Sequence, residues 1–225
     1  MKTSFALALC VSLALIGSET IEPGDPALDT SHIRSRVDTL MMFVHRDGQT
    51  ALVGGMYLET TVDHESGIAM RRERYSALGG AQERVDSFAV DIQTLAPVRR
   101  HDGGDGFTRG TAFYGNSMDF LLGALPLELD YTAELRIEPL QGVSDTLAAV
   151  RVLDAVELEM LRGPACAAWV VEVKTGDQQG TYWISKDARA LLQYEAPAEG
   201  LSLKRIKVCP AAVPTLIEPG SSFTD

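Results

Sequence analysis

The strongest constraint on the fold is the alternation of apolar and polar residues along residues 180–196. Tyr182 and Ile184 share one parity, a polar turn follows at 186–189, and apolar residues return after it. Period-two alternation on both sides of a polar turn is typical of a β-hairpin. The same pattern recurs along residues 38–208 and predicts about eleven strands.

One stretch breaks this pattern and predicts a helix. Asn116 can cap it, Asp119 falls in its first turn, and residues 120–125 are mostly apolar. Pro126 ends it, because the residue before a proline is pushed out of the helical conformation. Short turns between strands favour antiparallel neighbours. We therefore predict a mainly β fold, in which a single large curved antiparallel sheet (a half-open barrel) wraps one short apolar helix.

The first residues have the layout of a secretory signal peptide. Lys2 precedes an uninterrupted apolar run at 5–16, and small residues follow at Gly17 and Ser18. We predict a signal peptide over 1–18. The alternative is a retained membrane anchor, although the run is short for a bilayer span of about 20 residues.

The rest of the chain divides by composition into three parts. Residues 19–36 form an irregular leader, 37–209 a single β domain, and 210–225 an irregular C-terminal tail rich in proline, glycine and serine. The length of 225 residues and the 45% hydrophobic content suit one domain with one core. The signal-peptide layout predicts an exported protein, periplasmic or extracellular, that is not an integral membrane protein after signal removal.

The charge balance excludes some classes of partner. The chain has 20 Lys and Arg against 31 Asp and Glu, a net charge of −11, and removing residues 1–18 takes away one base and no acid. Such an acidic chain is unsuited to nucleic acid and to anionic membrane surfaces. We expect no nucleic-acid partner.

Two cysteines remain after signal removal, Cys166 and Cys209. In an oxidising compartment they predict one disulfide, which by loop entropy stabilises the fold by roughly 4 kcal/mol. The alternative is two buried thiols. In a plain four-strand meander the two cysteines would lie about 14 Å apart, too far for a disulfide. A disulfide therefore requires a strongly curled sheet or a tail that crosses back.

No motif in the chain predicts catalysis, a metal or a cofactor. His101, Asp102 and Asp105 could bind a metal, but their spacing matches neither a zinc nor a calcium site and suits a solvated turn. No G-x-S-x-G elbow, HExxH pair or phosphate-binding glycine loop is present. We expect a non-enzymatic protein with no metal and no cofactor.

Five arginines lie on strands that can be neighbours. They could form an anion or headgroup site, or lie on a solvated sheet face paired with nearby carboxylates, and the sequence favours the second interpretation. These arginines are Arg71, Arg72, Arg74, Arg99 and Arg100.

Large apolar residues mark the candidate concave face of the sheet. They could line a site for a lipid or another apolar ligand, because such pockets are mostly apolar. The alternative is an ordinary core filled by the helix. The candidates are Met56, Leu58, Phe88, Phe120, Leu121, Leu125, Trp169 and Trp183.

The order of motifs from about residue 38 to residue 208 resembles an uncharacterised family of exported bacterial β proteins. The motifs are 86–98 (DSFAVDIQTLAPV), 119–127 (DFLLGALPL), 168–171 (AWVV), 180–184 (GTYWI), and Asp187 with 191–195 (LLQYE). That family is similar in fold to the outer-membrane lipoprotein carriers. The resemblance implies a curved half-barrel around a helix, with an apolar concave face that holds acyl chains in the carriers.

Two functions follow as hypotheses. The first is an exported protein of the cell envelope that binds a lipid or other apolar ligand in the concave face. The second is a structural or protein-interaction module of the envelope with no small-molecule ligand. An exported hydrolase is a more distant third.

Overall fold

The computed structural model describes residues 20–78, 84–100, 112–138, 146–161, 163–198 and 201–208. Within these ranges the chain forms thirteen strands and one short α-helix, α1, which follows a 3-10 turn. The mainly β fold with a single short apolar helix is confirmed. In chain order the elements are β1 (Thr20–Ile21), β2 (Arg36–Arg46), β3 (Gln49–Asp63), β4 (Ile68–Ala77), β5 (Arg84–Asp91), β6 (Pro97–Arg100), β7 (Phe113–Tyr114), the 3-10 turn (Gly115–Ser117), α1 (Met118–Ala124), β8 (Thr132–Glu138), β9 (Thr146–Leu158), β10 (Cys166–Thr175), β11 (Gln178–Ser185), β12 (Leu191–Ala198) and β13 (Leu201–Val208).

The described strands form one large curved sheet that is not closed into a barrel. Its order is β1-β8-β9-β10-β11-β12-β13-β2-β3-β4-β5-β6, and β7 also pairs with β8. The pairs are antiparallel except for the short β1 and β7, which run parallel to β8. Two meanders, β2–β6 and β8–β13, therefore meet where β13 pairs with β2. The chain crosses from one meander to the other through α1.

Turn chemistry explains the regular antiparallel pairing. Asp47 and Gly48 both have positive φ, 52° and 75°, and form the two-residue connection between β2 and β3 that their sequence predicts. The register shifts next to Gly54, close to the bulge that Gly54 and Gly55 predict. The residues Thr146–Leu158 form one continuous strand, β9.

The core lies between the concave face and the helix. All seven residues of α1 are buried. Phe88 forms edge-on ring contacts with Tyr114 and Phe120, at centroid distances of 5.2 and 6.2 Å. Each fully buried large apolar side chain of this kind stabilises the fold by about 1.5–3 kcal/mol. The helix is therefore an integral part of the core.

The helix begins differently from the prediction. Its N-cap is Ser117, with no side-chain capping hydrogen bond. The Asn116 side chain, predicted as the cap, instead donates to Asp86 Oδ2 at 2.9 Å and to the Tyr114 hydroxyl at 3.2 Å. These two hydrogen bonds orient the Asn116 side chain toward β5 and β7 rather than toward the helix start.

The leader is fastened to the domain although it contains little regular structure. Ile21 and Ile33 are buried in the core. The Asp29 amide donates to the Ala124 carbonyl at 2.8 Å, which satisfies one of the free carbonyls at the end of α1. The Gly24 amide donates to the Thr94 carbonyl at 2.9 Å.

Several sequence predictions fall outside the described residues. They are the signal peptide at 1–18, the turn with His101, Asp102 and Asp105, and the tail at 210–225. The disulfide also stays a prediction, because Cys166 opens β10 whereas Cys209 is not described. The strands between them are the meander β10–β13. No helix in the described part of the chain has the length and apolar character needed to cross a membrane.

Close contact at Gly123 sets how deeply the helix packs against the sheet. A Cβ added there would lie 2.4 Å from the Arg189 carbonyl oxygen, which belongs to the β11–β12 turn, and 2.8 Å from His32 Nε2. Arg189 itself has a positive φ of 47°. Only a residue without a side chain allows this approach of helix and turn.

We predict that Gly123→Ala destabilises the protein by about 1–3 kcal/mol, as overpacked cores do. Helix propensity alone would favour alanine by up to about 1 kcal/mol. A loss of stability in Gly123→Ala would therefore come from the close packing and not from helix propensity. Gly55→Ala is the matched control, since its added Cβ has its nearest neighbour at 3.8 Å. Denaturant unfolding measures both variants. A Gly123→Ala protein as stable as the wild type would contradict this packing.

Candidate ligand-binding cleft

An open cleft of about 660 Å³ lies under the concave face of the sheet, beside the N-terminal end of α1. Its volume falls in the range of about 300–1,000 Å³ that is usual for small-molecule sites. Residues of β3, β4, β8–β12 and the helix start contribute to it. They are Met56, Leu58, Arg71, Glu73, Tyr75, Gly115, Asn116, Met118, Asp119, Ile137, Glu138, Thr146, Val173, Thr175, Gln178, Gln179, Gly180, Tyr182, Leu191 and Tyr194.

One wall of the cleft is apolar. Met56 and Leu58 form a small buried cluster with Leu40, and Leu191 packs against it from β12. Leu191 also contacts the main core around α1. This wall therefore joins the two apolar clusters across the sheet.

Beside this apolar surface, on the neighbouring strand β4, lies a buried ionic cluster around Arg71, which is 1% exposed. Its Nη2 lies 2.5 Å from Asp119 Oδ2 on α1, and its Nη1 donates to Thr60 Oγ1 at 2.8 Å. Its Nε lies 3.6 Å from Glu73 Oε1, and its Cζ lies 5.0 Å from the centroid of the Phe120 ring. We call Arg71, Thr60, Glu73 and Asp119 the Arg71 cluster.

Strand alternation explains why this arginine is buried. Thr60 and Arg71 are directly paired between β3 and β4, and Glu73 follows two residues later on the same face. Arg72 points to the other face and is exposed. Asp119 lies in the first turn of α1, and the helix places its carboxylate beside the arginine.

Glu73 is a buried carboxyl whose ionisation is disfavoured. Burial raises the pKa of Glu73 above its ordinary value of 4.5, and the nearby carboxylates of Asp119 and Asp86 add to this increase. The guanidinium of Arg71 and a hydrogen bond of 2.7 Å from the Tyr75 hydroxyl oppose the increase in pKa without cancelling it. Glu73 is therefore protonated more readily than an ordinary glutamate.

Two tyrosines in tilted ring contact form the aromatic wall of the cleft. The rings of Tyr182 and Tyr194, paired between β11 and β12, have centroids 4.7 Å apart at an angle of 50°. A Cβ added at Gly180 would lie 2.8 Å from Tyr194 Cε2, so the glycine provides the space in which that ring lies.

The structure places only two of the eight predicted ligand-binding residues in the cleft, Met56 and Leu58. Four others are core residues around the helix with exposures of 3% or less: Phe88, Phe120, Leu121 and Leu125. They form the support behind the cleft wall. Whether any of the eight contacts a ligand stays a prediction.

The two tryptophans lie elsewhere. Trp169 packs against the edge of the core, with the Lys186 ammonium 3.9 Å from its ring centroid. Trp183 is half-buried and alternates with Tyr182 and Ile184, which face the cleft and the core, so it lies on the opposite face of the sheet.

Sequence reasoning missed most of the polar lining. Arg71 was interpreted as part of a solvated face, and the structure corrects this, because it is buried and paired with a helix carboxylate. The available signal was parity, since Arg71, Glu73 and Tyr75 alternate in register with the buried Ala69.

Among the described residues no group of three or more His, Cys, Asp or Glu could hold a metal ion.

Comparison with known proteins identifies no family for this chain. No family model and no curated protein matches the chain. A beta-barrel-like protein of domain of unknown function DUF1849 from Brucella abortus has a TM-score of 0.49 at 10% identity, covering 78% of this chain and 96% of that one. The hypothetical lipoprotein YmcC from Escherichia coli K12 has a TM-score of 0.32 at 10% identity, covering 76% and 87%. A DUF1329 family protein from Desulfovibrio piger has a TM-score of 0.24 at 11% identity, covering 80% and 85%.

These similarities are weak in both TM-score and identity. They carry no information on the ligand, partner or activity of this chain.

We predict that Arg71→Met lowers the free energy of unfolding by about 3–5 kcal/mol, because it leaves the carboxylate of Asp119 buried without its partner. Arg72→Met, one residue away on the exposed face, should change it by no more than about 0.5 kcal/mol. Chemical denaturation measures both. The double variant Arg71→Met with Asp119→Leu should be more stable than Arg71→Met alone, and strict additivity of the two substitutions would contradict a direct ion pair.

The raised pKa of Glu73 predicts that the free energy of unfolding of the wild type differs from that of Glu73→Gln by an amount that depends on pH. As the pH rises above 4.5, the folded wild type retains a proton on Glu73 that the unfolded chain has lost. The free energy of unfolding of the wild type should therefore fall relative to Glu73→Gln from pH 4.5 up to the raised pKa, and the difference should then stay constant. Urea unfolding across this range measures it. A difference that does not change with pH, or that changes in the opposite direction, would rule out the raised pKa.

Proposed function

We propose that this protein is an exported, non-enzymatic binding protein of the cell envelope, and that its cleft receives one amphipathic small molecule. The exported location rests on the signal-peptide layout of residues 1–18. The binding function rests on the cleft. The observation that carries the proposal is that α1 fills only one part of the space under the curved sheet and leaves an open volume beside it.

The lining of the cleft supports an amphipathic ligand rather than a wholly apolar one. Met56, Leu58 and Leu191 offer an apolar surface, which suits a hydrocarbon portion. Glu73, which is paired with Leu58 between β3 and β4, and Asp119 lie beside this surface and suit a polar group. Small-molecule sites commonly combine a mostly apolar surface with a few convergent polar groups.

The surroundings of the cleft favour a preformed site. Its polar wall is held by the Arg71 cluster and its aromatic wall by paired strands. Neither wall depends on a loop for its position. A rigid site loses less conformational entropy when a ligand binds.

The second candidate function, a structural or protein-interaction module, is favoured by a different surface. Large apolar side chains are exposed on the outer face of β2–β5, and such side chains can mark protein-interaction sites where they are contiguous. They include Val37, Tyr57, Met70 and Val85, with exposures of 48%, 38%, 53% and 48%. This function requires no ligand in the cleft.

Native mass spectrometry with lipid extraction, on protein purified gently from an exporting host, tests the binding function. We expect one small molecule bound per chain. Thr175→Trp should abolish it, because Thr175 lines the cleft and a tryptophan there occupies the ligand volume. Thr61→Trp, on the exposed outer face, is the matched control and should retain the molecule.

Two results would contradict the proposal. One is a wild-type mass equal to that of the polypeptide alone, together with no binding of added amphiphiles. The other is a bound molecule that Thr175→Trp retains at full occupancy, since it would then lie outside the cleft. Either result would favour the protein-interaction function over the binding function.

A further inference from the structure

We infer that the polar end of the ligand is an organic cation, an ammonium group carried on an apolar chain. This inference rests on the proposed binding function and adds the charge class of the ligand. Three properties of the cleft support it together: its charge balance, its aromatic wall and its apolar wall.

The charged groups of the cleft are mainly carboxyls. Among the described lining residues these are Glu73, Asp119 and Glu138, against the single guanidinium of Arg71. Asp86 lies behind this wall, where it hydrogen-bonds Asn116 and raises the pKa of Glu73. Even with Glu73 protonated, the carboxylates of Asp119 and Glu138 outnumber the guanidinium of Arg71. An anionic headgroup entering the cleft would therefore meet more negative than positive charge.

Arg71 does not offer its charge to a ligand. It is 1% exposed, and its two terminal nitrogens already contact Asp119 at 2.5 Å and Thr60 at 2.8 Å. The remaining nitrogen, Nε, faces Glu73 at 3.6 Å. A phosphate or carboxylate would have to break this buried network in order to pair with the arginine, and breaking buried pairs is costly.

The aromatic wall suits a cation for an independent reason. Tyr75, Tyr182 and Tyr194 all line the cleft. The face of an aromatic ring carries negative electrostatic potential and attracts ammonium groups within about 6 Å of its centroid. Aromatic side chains that surround a site, with carboxylates close by, are a recurring solution for quaternary ammonium recognition.

The apolar wall accounts for the chain attached to the cation. Met56, Leu58 and Leu191 are contiguous along one side. Val173 and Ile137 extend the apolar lining toward β8 and β10. A small hydrophilic cation would leave this surface uncovered, whereas an alkyl chain removes it from water.

A series of dodecyl probes that differ only in the headgroup tests the inference on the full chain. The probes are dodecyltrimethylammonium, dodecanol and dodecanoate, titrated by calorimetry below their aggregation concentrations at neutral pH. We expect the ammonium probe to bind at least about tenfold more tightly than dodecanoate, with the alcohol between them. Added salt should reduce the difference between the two charged probes.

Matched variants locate the effect. Glu138→Gln, at the end of β8 beside the cleft, should weaken binding of the ammonium probe by about threefold and leave dodecanol unchanged. Glu157→Gln removes the same charge from an exposed position on β9 outside the lining and should change neither. Glu73→Gln keeps the shape of the side chain and tests the contribution of a second carboxyl of the cleft to binding of the ammonium probe.

The outcomes separate the two proposals. If dodecanoate binds as tightly as the ammonium probe, or more tightly, the cation inference is overturned while the binding function stands. If none of the three probes binds, the binding function fails and the inference fails with it. Ammonium binding that persists in Thr175→Trp would be attraction to the acidic surface and would also overturn the inference.

Discussion

The buried contact between Arg71 and Asp119 is the interaction on which the arrangement of this protein depends. It joins β4 of one meander to the helix that connects the two meanders, across 48 residues of sequence. Because both groups are buried, neither is easily left without the other. The contact therefore fixes where the helix begins under the sheet, and this position decides where the solid core ends and where the cleft starts.

The two regions under the sheet have different chemistry for that reason. On one side of the contact Phe88 and Phe120 pack edge to face, and all the residues of the helix are buried. On the other side the helix has not yet begun, and the facing strands remain separated by open volume. Gly123 has the corresponding role at the far end of the helix, where it allows contact with the Arg189 carbonyl. An amphipathic cleft is the consequence of a helix shorter than the sheet that wraps it.

The sequence is sufficient to predict the half-open barrel and the helix, because both depend on local periodicity and on turn residues such as Asp47 and Gly48. The site is less predictable. Met56 and Leu58 were found from strand parity, but Trp183 lies on the opposite face, and hydrophobicity alone does not reveal which parity faces inward. Arg71 looks like an exposed arginine until Asp119 is placed beside it. Strand parity with the buried Ala69 indicates that Arg71 faces inward, but the carboxylate that pairs with it is distant in sequence and follows from no local pattern.

A crystal structure of the protein with dodecyltrimethylammonium would test the account most directly. The account predicts one alkyl chain along Met56, Leu58 and Leu191, with the ammonium group near Tyr182 and the carboxyls of the cleft, while Arg71 and Asp119 stay in contact. A cleft closed by the protein's own side chains would contradict it. So would a probe bound only on the outer face of the sheet.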